Sequence, residues 1–130
     1  IDKISKFHLG FEATHPFVDG NGRIGRVLLN YQLQQYGLPV ITIRNKEKSI
    51  YHSAFVDYEN KKNTKTMEKI VALAVLESLH KRITYLEGKK IVPLVEYAIK
   101  ISKPAPVVLN MAARQTIPAF REKGVWKIGT

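Results

Sequence analysis

The sequence predicts a mainly helical fold that closes on a small helix–turn–helix with a β-hairpin, and three observations predict it. Apolar residues recur at helical spacing through most of residues 1–88. Glycine and proline mark the ends of those runs. Residues 89–130 are instead short segments broken by prolines, ending in two β-prone runs on either side of Gly124. A chain of 130 residues, 45% apolar and 25% charged, has the make-up of one globular domain or two small ones. The change of composition at Lys89-Lys90 divides it into 1–88 and 89–130. The absence of cysteine excludes disulfides and thiolate metal sites. No apolar run is long enough to span a bilayer, so a cytoplasmic protein without a membrane partner is expected.

The first segment, Ile1 to Thr14, reads as a helix with Ile4, Phe7, His8 and Phe11 along one side, ended by Pro16. His8 is assigned to packing or the surface and given no chemistry. The next stretch, HPFVDGNGRIGR from His15 to Arg26, concentrates an imidazole, a carboxylate, an amide, two guanidinium groups and several glycines before a strongly apolar run. If that run is a helix, Gly20, Asn21 and Gly22 lie at its N-terminus, where unpaired backbone N–H groups and the helix dipole favour an anion. Arg23 and Arg26, three apart, can reach one polyphosphate. Asp19 offers a hard oxygen for a Mg²⁺ that is itself held by phosphates. His15 carries an imidazole, which can take a proton from an incoming hydroxyl. Taken singly, each residue has an ordinary explanation as a turn, a core histidine or a solvated face. Their concentration in twelve residues points to metal-assisted phosphoryl or nucleotidyl transfer.

These twelve residues resemble the signature of the Fic family, HPFx(D/E)GNGRxxR, without a mismatch. The resemblance implies a Fic-type helical bundle, here the C-terminal half of one, and transfer of AMP from Mg·ATP to a hydroxyl side chain of a Ser, Thr or Tyr in a target protein. By position it implies His15 as general base, Asp19 as Mg²⁺ ligand and Phe17 as the apolar anchor of the loop. Gly20, Asn21 and Gly22 become the anion-binding turn, with Arg23 on the phosphates and Arg26 on the terminal one. The phosphate-transferring Doc branch departs from GNGR, so the intact GNGR favours AMP over phosphate as the group moved. Fic domains carry helices and a target-positioning hairpin before this point, so the chain is expected to be truncated on that side.

The apolar run Arg23 to Tyr36 reads as a central, largely buried helix, because Ile24, Val27, Leu28 and Tyr31 occupy one side and Leu29, Leu33 and Tyr36 another. Gly37 and Pro39 end it. Val40 to Ile43 is extended but short. Lys48 to about Asn60 is a helix with Ile50, Tyr51, Ala54, Phe55 and Tyr58 as its core stripe. A third long helix runs from about Thr66 to Leu86, with Ile70, Leu73, Ala74, Leu76, Leu79, Ile83 and Leu86 as its core face and Gly88 at its end. Glu87-Gly88 matches the close of the family's inhibitory (S/T)xxxE(G/N) pattern, but Ile83 stands where Ser or Thr is required, so a pairing of Glu87 with Arg26 is not expected.

In the C-terminal part, Pro93 lies in the first turn of a helix ending near Ile101, Lys103 to Pro106 is a turn, and a second helix spans about Val107 to Gln115. Ile117 to Phe120 and Val125 to Ile128 form a hairpin through Arg121 to Gly124. The run VVLNMAARQTIPAFREKGVWKIG resembles the excisionase-like winged helix-turn-helix, although Gln115-Thr116 stand where that family has glycine. Of the net charge of +10, residues 89–130 carry +6, from 8 Lys+Arg against 2 Asp+Glu. The resemblance and the charge imply double-stranded DNA as a partner, with Asn110 and Arg114 toward the groove and Arg121, Lys123 and Lys127 toward phosphates. Trp126 is assigned to the core of this unit. The leading expectation is therefore a protein adenylyltransferase using ATP and Mg²⁺. The alternatives are a DNA-binding regulator whose Fic site is secondary or silent, and a Doc-like phosphate-transferring enzyme.

Overall fold

The computed structural model describes residues 1–44 and 48–130 and is mainly helical. Its elements are α1 (Asp2–Thr14), α2 (Asn21–Gln35), α3 (Lys48–Lys61), α4 (Lys65–Leu86), β1 (Ile91–Pro93), α5 (Leu94–Lys100), α6 (Ala105–Ala113), β2 (Ala119–Glu122) and β3 (Val125–Gly129). They form two compact units, Ile1–Val75 and Leu76–Thr130, with the division inside α4.

In the first unit, α1 buries Ile4, Ser5, His8 and Leu9, while Phe7 stays exposed and stacks on Phe11 at 6.5 Å. The helix α2 buries Asn21, Gly25, Leu29 and Leu33, one face at four-residue spacing. Val27 and Tyr31 are exposed, so α2 is not buried around its circumference as its apolar content suggested. It ends in a Schellman motif: Gly37 has φ 71°, Leu38 N–H donates to the Leu33 carbonyl at 3.0 Å, and Gly37 N–H to Gln34. The Asn30 side chain then grips the Ile41 backbone in both directions, at 2.8 and 3.0 Å. That clasp, rather than a sheet, holds the extended segment. In α3, Tyr51 and Ala54 are buried, and Thr66 at the start of α4 donates to the Asp57 carboxylate at 2.7 Å.

The buried stripe of α4 is Met67, Val71 and Val75, whereas Leu76, Ile83 and Leu86 of the expected core face are exposed. Apolar residues surround this helix, so its periodicity does not select a face. Its end at Gly88 (φ 63°) again follows the Schellman pattern.

In the second unit, β1 joins a three-stranded antiparallel sheet of order β1-β3-β2, one strand more than the expected hairpin. Ile91 lies opposite Gly129, and Phe120 opposite Lys127. The helix α6 starts two residues earlier than expected, because Pro104 and Pro106 have φ suited to a helix start and their missing N–H groups are not needed there. Lys123 (φ 49°) and Gly124 (φ 77°) make the two-residue turn with both φ positive that matches strand twist. Leu94, Ala98, Val108, Ala112, Ala119 and Ile128 form the core, with Trp126 packed against it.

Candidate active site

The loop from His15 to Gly20 is held by the elements at its two ends. His15 is the C-cap of α1 in the left-handed region (φ 51°), its N–H donating to the Phe11 carbonyl, so the chain turns sharply away from the helix axis. Gly20 caps the N-terminus of α2 at φ 75°, a conformation that suits glycine. Between them the buried Asn21 side chain accepts from Phe17 N–H at 3.0 Å and donates to the Phe17 carbonyl at 2.7 Å. Both polar atoms of Asn21 bond the loop, and what Asn21 has left for an anion is its backbone N–H and the second hydrogen of its side-chain amide. Phe17 is half exposed, its ring 6.4 Å from Phe11, so the loop is anchored through Asn21 more than through Phe17.

The first turn of α2 has no side-chain cap. Among the described residues, no protein acceptor meets the N–H groups of Asn21, Gly22 and Arg23. Asp19 accepts from Gly20 N–H at 2.7 Å through Oδ1, which fixes its carboxylate on the exposed side of the loop. His15 and Arg23 are exposed as well. Thus His15, Asp19, Gly20, Asn21, Gly22 and Arg23 lie along one loop and the first turn of the helix it enters, with the side chains of His15, Asp19 and Arg23 exposed.

Arg26 differs from Arg23. It is partly buried and lies close to Gly22, and its guanidinium is near enough to the Tyr51 hydroxyl of α3 to favour the ionised form of that group. Beneath it, His8 of α1 contacts the Gly25 carbonyl through Nδ1 at 3.2 Å and the Tyr51 hydroxyl through Nε2 at 2.6 Å. Burial first, and the charge of Arg26 after it, push the His8 imidazole down to about 4 against the weaker pull of the Gly25 carbonyl, so it is neutral near pH 7. Burial, then the Glu12 charge, raises the Tyr51 hydroxyl to about 12. Glu12, one turn after His8, is raised by burial despite Arg26 and His15 nearby, and its Oε1 has no hydrogen-bond partner. Gly25 marks a close approach here, because a Cβ would displace the end of the Glu12 side chain and press within 3.3 Å of His8. Sequence reasoning left His8, Glu12, Gly25 and Tyr51 out of the site. The i, i+4 spacing of His8 and Glu12 and a glycine inside an apolar helix were the available signals.

In the second unit, Asn110, Arg114 and Lys123 face solvent, Arg114 as the C-cap of α6 and Lys123 at the hairpin turn. Arg121 does not. Its Nε and Nη2 donate to the two oxygens of Glu77 at 3.0 and 2.7 Å, its N–H adds a third bond, and the guanidinium lies 4.6 Å over the Trp126 ring. The phosphate contact expected of Arg121 therefore gives way to a nearly buried ion pair within the unit. Lys127 is 4.0 Å from Glu122, which also receives Tyr85 O–H at 2.8 Å. Glu87 pairs with Lys89 at 2.7 Å.

A Fic/DOC family model matches residues 1–33. A probable protein adenylyltransferase of Aquifex aeolicus is 34% identical over an alignment covering 98% of this chain and 48% of that protein. A protein adenylyltransferase Fic of Drosophila virilis is 36% identical, covering 90% of this chain and 24% of its own length. A Fido domain-containing protein of Dictyostelium discoideum is 38% identical, covering 54% and 49%. The chain thus spans about half or less of the length of these relatives. No solved structure matches it.

Proposed function

We propose, from the premise that this is a Fic/DOC-family chain over residues 1–33, that it belongs to a protein adenylyltransferase that moves AMP from ATP to a hydroxyl side chain of a target protein. The observation that carries the reading is the open N-terminus of α2, with its unpaired N–H groups flanked by His15, Asp19 and Arg23. The names of the relatives supply the nucleotide and the kind of acceptor.

In this reading the phosphates of ATP lie on the N–H groups of Asn21, Gly22 and Arg23, with Arg23 and Arg26 offsetting their charge. His15 Nε2 or Nδ1 removes the proton of the target hydroxyl as its oxygen bonds to the α-phosphorus. The bond from that phosphorus to the pyrophosphate oxygen breaks, pyrophosphate leaves, and AMP remains on the target. Asp19 suits Mg²⁺, since one exposed carboxylate fixed by a backbone N–H is what an ion taking its other oxygens from phosphates and water requires. When bound, the ion neutralises charge on the phosphates. Among the described residues no three His, Asp or Glu side chains cluster as a self-sufficient metal cage, in keeping with a site completed by its substrate. An ATP-rich cytoplasm is the setting this chemistry needs, and no helix among the described residues is long and apolar enough to cross a membrane.

Replacing His15 by Ala is expected to abolish labelling of a target by ATP carrying its label in the α-phosphate, while leaving nucleotide binding intact. Undiminished labelling by that variant overturns the mechanism. Movement of a γ-phosphate label instead identifies a Doc-like phosphate transfer.

A second reading, in which residues 89–130 form a winged helix that also binds duplex DNA, is supported by the order β1-α5-α6-β2-β3 with its β1-β3-β2 sheet and by the exposure of Asn110, Arg114 and Lys123. The commitment of Arg121 to the interior takes one phosphate-binding side chain away from that surface.

A further inference from the structure

The cluster beneath Arg26 uses three helices to do one thing. The Gly25 carbonyl can only accept, so the ring nitrogen of His8 facing it, Nδ1, carries the proton. Nε2 is then bare and accepts from the Tyr51 hydroxyl at 2.6 Å. With its proton spent on His8, the Tyr51 oxygen has lone pairs left for the nearby Arg26 guanidinium. The two hydrogen bonds run in one direction, from Tyr51 through His8 to the backbone one residue before Arg26, whose guanidinium lies near the Tyr51 hydroxyl. A long arginine side chain loses much rotamer freedom when held in one place. A Tyr51 oxygen fixed by His8 offers it one acceptor before any ligand arrives.

We propose that His8 and Tyr51 are positioning residues that aim the Arg26 guanidinium at the terminal phosphate of the nucleotide, through the directed chain Arg26 to Tyr51 hydroxyl to His8 to the Gly25 carbonyl. The proposal rests on the phosphate-binding reading of His15–Arg26. Burial of His8 keeps it in the neutral form that the chain requires. The other charged or titratable groups facing this chain are Glu12, whose carboxylate lies against Gly25, and Arg26 itself. Gly25 lets the Glu12 carboxylate and His8 approach the α2 backbone together, so its missing side chain is part of the device.

The test compares affinities for ATP and AMP, measured by calorimetry on the whole chain with Mg²⁺, because AMP lacks the phosphate that Arg26 is held to meet. Tyr51→Phe removes only the oxygen in the middle of the chain. It is expected to weaken ATP binding by about tenfold and to leave AMP binding unchanged, the size of one hydrogen bond to a charged group. His8→Gln retains an acceptor near the Nε2 position and is expected to recover most of the ATP affinity that His8→Leu loses. A structural role alone weakens both nucleotides together and tracks the melting temperature. Equal loss for ATP and AMP in Tyr51→Phe, or no loss for either, overturns the proposal while the wild-type chain still binds ATP. A wild-type chain that binds neither nucleotide overturns the phosphate-site reading and the proposal with it.

Discussion

At the residue scale, His8 carries a consequence for stability as well as for Arg26. Its pKa falls from an ordinary 6.5 to about 4 in the folded state. Between those values the unfolded chain binds a proton that the native chain refuses, so stability rises with pH from about 4 to 6.5 and is flat above. The span corresponds to about 3 kcal/mol. Glu12 acts in the opposite direction, since its raised carboxyl holds a proton in the native state above pH 4.5 that the unfolded state releases. Urea unfolding of the wild type and of His8→Gln at pH 4.5 and 7 separates the two. The wild type should lose stability at the lower pH by more than the variant does, and equal losses would rule out His8 as the source. None of this was visible in the sequence. His8 sits on a helical stripe where a histidine is ordinarily a packing residue, and its partner Tyr51 is 43 positions away. Gln115 shows the same limit from the other side. It stands where the resembled winged-helix family has glycine, and the structure gives it φ 54°, with its amide donating to the Ala112 and Ala119 carbonyls and its oxygen meeting His80 at 2.8 Å. Three side-chain bonds offset the left-handed conformation that glycine adopts without strain.

At the element scale, the helix ends were the most legible features. Gly37 and Gly88 close α2 and α4 with the hydrogen bonds that a glycine after a helix permits. The prolines at 104 and 106 mark the start of α6. The buried faces were less legible. The helix α4 is apolar on most sides, and only the surrounding structure selects Met67, Val71 and Val75 over Ile83 and Leu86. Its C-terminal half is chosen by polar contacts instead, with Glu77, His80 and Tyr85 bonded to Arg121, Gln115 and Glu122. The Glu77–Arg121 pair joins residues 44 apart with both side chains nearly buried, so removing one partner strands the other charge. Glu77→Ala is expected to destabilise the Leu76–Thr130 unit by about 3 kcal/mol. A Glu77→Ala/Arg121→Met double variant should recover much of that, as read by thermal unfolding. A single variant with an unchanged melting temperature would show the pair to be ornamental.

At the scale of the whole molecule, the uneven charge is the feature most easily read from composition and least explained by folding. Apart from Arg121, which is nearly buried against Glu77 and Trp126, the basic residues of 89–130 lie outside the core of the second unit, which is made of Leu94, Ala98, Val108, Ala112, Ala119 and Ile128. If the unit binds duplex DNA, affinity should fall steeply with salt as condensed counterions are released. Removing one side chain that neutralises a phosphate should reduce the slope of log K against log salt by about 0.9. Arg114→Ala together with Lys123→Ala should flatten that slope, whereas Arg121→Met should weaken folding without a separate effect on the slope. Binding too weak to measure even at low salt would remove the DNA reading and leave the proposal for the first unit untouched.

The clasp between Asn21 and Phe17 has one more implication. By engaging both polar atoms of Asn21, it leaves the proposed phosphate site with main-chain N–H groups and one amide hydrogen as its donors at the helix terminus, joined by two arginines. Such a surface measures charge and the spacing of oxygens, and it has no means of telling adenine from guanine. If the proposed reaction holds, base identity must be read by residues outside His15–Arg26, so exchanging the preferred nucleotide and preserving the reaction become separable problems.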